Sequence, residues 1–176
     1  MAKKDIIEGQ VPEKRKRCYI QARNFFYAAK RCGRLELCEE SGSHQVLIIP
    51  EYVNIAFSCE LYLKAVLYRD EEIIREHKLL DLFNKLDITL KDRVAEILNT
   101  DKEQIDILLE KYTNLFTKMR YSFEKPQYNE SFSVPLDFFY KMAESLDILA
   151  QEIIGVEPYP STNVNIDLFN DLSLDF

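Results

Sequence analysis

Three short stretches of this 176-residue chain carry side chains whose types and spacing could do chemistry. In the first, Glu60 and Lys64 stand four residues apart inside an otherwise apolar run, acid first, which is the favourable order for a pair on one helical turn. Val53, Phe57, Glu60, Lys64 and Leu67 fall on one helix face, so the pair is expected indoors, where either charge alone would cost several kcal/mol. It can fix helix register, or it can line a cleft for a phosphate or a base. The second stretch holds His77, placed at a helix start, where a ring can bond backbone at the turn or act as a general acid or base. The third is Arg120, Tyr121, Ser122, Phe123 and Glu124. Arg120 and Glu124 are one turn apart and can pair, or the Arg120 guanidinium can fork around two phosphate oxygens.

The elements that must position these groups read as helices. Residues 11–34 form the first, with Tyr19, Ala22, Phe26, Ala28 and Ala29 at helical spacing and Gly33 at the C-cap position. Residues 39–44, with Ser41, Gly42 and Ser43, read as a loop. A second helix starts near Pro50 and runs to about Arg69; from Val53 to Tyr68 it is apolar nearly all round, which marks it as the central, buried one. Residues 72–86 read as a shorter helix with Ile73, Leu79, Leu80, Leu82, Phe83 and Leu86 inward. Thr89 is expected to cap residues 90–98, and Asp101 to cap a long helix reaching about Glu124. Residues 125–133 read as a polar aromatic loop. The last long helix spans residues 135–154, with Phe139, Met142, Leu146, Leu149 and Ile153 inward, and stops at Gly155. The division this suggests is a flexible N-terminus (1–10), a bundle (11–155) and an acidic tail (156–176). The expected fold class is all-α, an up-and-down bundle of four long helices plus one or two short ones.

Composition narrows the function classes. Apolar residues make up 47% and charged residues 30%, with only four glycines and six prolines, so the chain is globular and poor in turns. No apolar run reaches the roughly 18 residues of a membrane span, and a cytoplasmic location is expected. Net charge is −7, yet residues 1–34 carry ten Lys/Arg against three Asp/Glu. An acidic whole argues against coating nucleic acid along the entire surface, while the basic first helix permits a local phosphate-binding face or pairs with acidic neighbours. Cys18, Cys32, Cys38 and Cys59 include no close pair, so idle thiols are expected and neither a metal nor a cofactor. A phosphate-binding glycine loop and a zinc-binding His-Glu-x-x-His are both missing. His44 sits in the glycine–serine loop with no identifiable partner.

Taken in order, the three stretches resemble the HEPN family (higher eukaryotes and prokaryotes nucleotide-binding). The resemblance rests on Glu60 and Lys64, then His77 with Leu79, Leu82 and Phe83, then Arg120, Tyr121 and Glu124. An opening helix with Tyr19, Ala22, Phe25, Ala28 and Ala29 adds to it. It covers about residues 15–155 and implies a helical bundle that often dimerises, hence a homodimer here. Many members are metal-independent ribonucleases of phage defence or toxin–antitoxin systems, some with a nucleotidyltransferase as protein partner. Their active residues are an Arg followed four to six positions later by a His on a late helix.

This chain departs from that pattern. After Arg120 come Tyr121, Ser122, Phe123, Glu124, Lys125 and Pro126, with no histidine. Cleavage through the 2′-hydroxyl needs a group that moves protons near neutral pH, which Arg120 does poorly. The leading expectation is a non-catalytic or altered domain that binds nucleotide, RNA or a protein partner, with Glu60, Lys64, Arg120 and Tyr121 as ligand-binding residues. An alternative is a ribonuclease using Arg120 with His77 or Glu124 as catalytic residues. A third is an interaction module acting through the acidic–apolar tail around Ile166, Asp167, Leu168, Phe169 and Leu172, which could equally pack on its own bundle. Tyr121, Phe123, Tyr128 and Phe132 are candidate interface aromatics.

Overall fold

The computed structural model describes residues 13–38, 42–68, 74–121 and 134–155. The expected flexible N-terminus, the loop 125–133, the tail 156–176, and Ile73, Glu124, Phe123, Tyr128 and Phe132 all lie outside them. The fold is an all-α bundle. Among the described residues three helices are long: α1 (Glu13–Cys32), α2 (Ile48–Leu67) and α7 (Leu136–Ile154). Four are shorter: α3 (Leu79–Asn84), α4 (Ile88–Leu98), α5 (Lys102–Lys111) and α6 (Leu115–Arg120).

The central position of α2 follows from its sequence. Every residue from Ser58 to Val66 is buried, and α1, α3, α6 and α7 all pack against it. A helix without a polar stripe has to be surrounded. Against it α1 buries Tyr19, Ala22, Phe26 and Ala29 at three-to-four spacing, and α7 buries Phe139, Met142, Leu146 and Leu149. The shorter helices close the remaining side with Leu82, Phe83, Val94, Ile105, Leu109 and Leu115.

Several boundaries differ from the sequence expectation, each for a local reason. Ser43 and His44, expected in a loop, belong to a strand: β1 (Glu36–Cys38) and β2 (Ser43–Gln45) pair antiparallel, Leu37 opposite His44, and Gly42 takes the left-handed φ of 64°. Gly33 is absent from the left-handed region, so it is no αL cap. A Cβ there would stand 2.3 Å from the carboxylate oxygen of buried Glu51, which accepts a 2.8 Å hydrogen bond from Tyr140. The requirement is close approach, not conformation.

Residues 74–78 are not helical, with Lys78 extended, so the helix expected over 72–86 begins at Leu79. Its opening amides are satisfied from outside: Leu79 N–H donates to the Thr113 carbonyl and Leu80 N–H to the Thr113 hydroxyl. The same docking explains why the long helix expected over 101–124 is broken at residues 112–114 into α5 and α6. Asp101 caps α5 as expected, accepting from Gln104 N–H at 2.7 Å. The cap of α4 is Asp87, accepting from Leu90 N–H at 3.0 Å, and not Thr89; Asn99, at φ 50°, closes that helix. Gly155 ends α7 in the left-handed conformation.

Candidate functional site

Burial forces the first set of contacts. Glu60 is 1% exposed and Lys64 7%, among the buried apolar residues of α2, so both need partners nearby. Helical spacing supplies the first: Lys64 Nζ donates to Glu60 Oε1 at 2.8 Å. The second comes from the segment before α3, where His77 Nδ1 lies 2.9 Å from the same oxygen. Glu60 Oε2 is buried without a hydrogen-bond partner among the described residues.

His77 therefore does not bond backbone at a helix start; its ring reaches across to a carboxylate. The segment is shaped for this by Glu76, whose side chain accepts from the His77 and Lys78 amides at 2.9 and 3.0 Å. Those two donors hold the Glu76 carboxyl below its ordinary range. Glu60 favours the tautomer with the proton on Nδ1, which leaves Nε2 as the free acceptor. The His77 side chain is 68% exposed, so that nitrogen is open to water.

Cys18 completes the cluster, and sequence spacing gave no sign of it. On α1 it is half-buried, donates to the Leu61 carbonyl at 3.2 Å and feels both Lys64 and Glu60. Burial, chiefly, pushes its thiol up to about 11, with Lys64 opposing and Glu60 adding. A thiolate is thus scarce at neutral pH, and Cys18 is no nucleophile there. Cys18, Cys32 and Cys59 are all free thiols. Among the described residues no group of three His, Cys, Asp or Glu side chains could hold a metal ion.

Arg120 belongs to a different neighbourhood. It closes α6, is exposed, and its guanidinium lies 5.8 Å from the Phe116 ring centre and 5.2 Å from that of Tyr121. Phe116 stacks on Phe57 of α2 at 4.8 Å, and Phe57 meets Phe25 of α1 edge-on at 4.6 Å. The aromatic run connects α1, α2 and α6. Phe57 is one turn before Glu60, so the two neighbourhoods share a helix face. No described contact joins Arg120 to Glu60, Lys64 or His77. The expected Arg120–Glu124 pair lies outside the described residues.

The basic first helix is partly absorbed by its neighbours. Lys30 meets Glu144 at 3.1 Å and Arg23 meets Asp147 at 3.8 Å, both on α7, while Arg15 donates to the Val66 carbonyl. Among the described residues, no helix is long and apolar enough to cross a membrane. In comparisons with known proteins, no family model, no curated protein and no solved structure matches the chain.

Proposed function

We propose that this chain is a HEPN-like bundle that binds a nucleotide or single-stranded RNA without cleaving it, as part of a prokaryotic defence or toxin–antitoxin type module. The observation that carries the reading is Arg120, exposed at the end of α6 and braced by the Phe116 and Tyr121 rings. A guanidinium held beside an exposed aromatic gives one group for a phosphate and one face for a base. Tyr121 is 39% exposed. Glu60 and Lys64, one and two turns along α2 from the Phe57 on which Phe116 stacks, are proposed as further ligand-binding residues. Homodimerisation and a nucleotidyltransferase or other protein partner belong to the same proposal.

One observation favours the catalytic alternative. A buried carboxylate orienting an exposed imidazole is the arrangement that general-base sites use, and Glu60 and His77 have it. In that reading His77 moves the proton and Arg120 steadies the phosphate.

Fluorescence anisotropy with a labelled single-stranded RNA separates the two. Binding should weaken about tenfold for Arg120→Ala, the loss of one charge-assisted contact, and also for Tyr121→Ala. Intact RNA after prolonged incubation supports binding alone. Cleavage that disappears in His77→Ala establishes the nuclease, and absence of any binding sinks both.

A further inference from the structure

The hairpin end of the bundle exposes a group of aliphatic side chains that the RNA site does not use. Leu35, Leu37, Leu47, Ile48 and Ile49 are between 45% and 64% exposed, in a stretch of chain only fifteen residues long. Strand pairing keeps them together: Leu37 sits opposite His44, and Leu47 N–H donates to the Cys32 carbonyl, so both ends of the hairpin return to the end of α1. Beside them is a cleft of about 210 Å³ lined by Arg31, Cys32, Arg34, Gln45 and Leu47. Arg31 and Arg34 are exposed, and neither has a described carboxylate partner. A cleft with two guanidinium groups and an aliphatic border selects an occupant that is acidic and apolar together.

The chain carries such a segment. Residues 166–176 contain Ile166, Leu168, Phe169, Leu172, Leu174 and Phe176 interleaved with Asp167, Asp171 and Asp175, and no Lys or Arg. The distance fits as well. Tyr140 of α7 bonds Glu51 in the first turn of α2, beside the hairpin, and Gly155 lies fifteen residues further along, about 22 Å at 1.5 Å per helical residue. The ten residues 156–165, with Pro158 and Pro160, span up to roughly 33 Å when extended. That is enough to return to the hairpin end without strain.

We infer that residues 166–176 dock in cis on the hairpin end, with their aspartates on Arg31 and Arg34 and their aliphatic side chains on Leu35, Leu37 and Leu47. The contact occupies an apolar surface that would otherwise be open to another protein, so the segment acts as an intramolecular cover. A partner that competes for it would have to be acidic and apolar in the same way.

Hydrogen exchange followed by mass spectrometry on the full chain tests this directly. In the unmodified protein, amides of residues 166–176 should exchange at least about tenfold more slowly than in the free peptide of the same sequence. Arg31→Glu with Arg34→Glu should abolish that slowing, and Leu47→Asp should reduce it. Arg17→Glu, elsewhere on α1, should leave it unchanged. Amides of α2 report the fold in each variant, and Arg31→Gln with Arg34→Gln serves if charge reversal disturbs it. Exchange at the free-peptide rate overturns the inference, as does slowing that survives in both the glutamate and the glutamine pair. Slowing that grows with protein concentration also overturns it, since the occupied surface would then belong to a second copy. None of these results depends on RNA binding.

Discussion

Glu60 is the residue on which most depends, because one oxygen of its carboxylate meets two side chains from two different elements, Lys64 and His77. Removing it strands Lys64 in the interior and frees His77. Glu60→Ala should therefore lower stability by about 3–5 kcal/mol, the usual cost of leaving a buried charge unpaired, measurable by urea unfolding. Replacing both partners together, with Glu60→Leu and Lys64→Met, should recover most of that loss, because an apolar pair of similar volume needs no compensation there. If the double variant is as unstable as the single one, His77 and not Lys64 is the partner that matters for folding. His77 itself lies largely in water, so His77→Ala should cost far less. The spacing of Glu60 and Lys64 made their pairing legible in the sequence. The third partner was not, since His77 is 17 residues away along the chain and only the path of residues 74–78 brings it back.

At the scale of elements, Thr113 connects two helices that the sequence leaves separate. Its carbonyl and hydroxyl take the first two amides of α3, doing for that helix what an N-cap side chain does elsewhere. The same contact holds the break between α5 and α6. Thr113→Val keeps the shape and removes the hydroxyl acceptor. It should cost about 1–3 kcal/mol if the Leu80 amide is left unsatisfied, and should speed hydrogen exchange at Leu80 while leaving α1 unchanged. Equal effects throughout the chain would mean that α3 has no separate opening. Apolar periodicity continues across residues 105–119 with no glycine or proline, which is why the sequence suggested one long helix. A tertiary hydrogen bond outweighed that continuity.

For the whole molecule, the interior is rich in acids that stay neutral. Burial pushes the Tyr19 hydroxyl up to about 12 and Cys18 to about 11, and it raises Tyr62, Tyr140 and Cys59 as well. Asp147 of α7 adds to the effect at Tyr19 and Tyr62. Each group has a folded value above its unfolded one, so its contribution is fully present below the ordinary value, 9.0 for Cys and 10.0 for Tyr, and is lost as pH rises through the folded value. The protein should thus be insensitive to pH from neutral to about 9 and then lose stability steeply. Tyrosinate absorbance and helical circular dichroism should change together in that range. Tyrosines that ionise while the helices persist would show that the interior is open to water. Surface pairs such as Arg93 with Glu152 should contribute little by comparison.

The sequence alone determined the all-α class, the central place of α2, the inward faces of α1 and α7, the Asp101 cap and the Gly155 stop. All of these depend on residue types within a few turns of one another, where apolar periodicity and capping act locally. Only the tertiary structure decided that His77 meets Glu60, that Thr113 divides a helix, that Gly33 makes room for Glu51, and that Arg120 stands with Phe116 and Tyr121 apart from the buried pair. Each of these depends on side chains and backbone groups distant along the chain. Their meeting is set by how helices pack and where connections run, and no spacing within one segment encodes that.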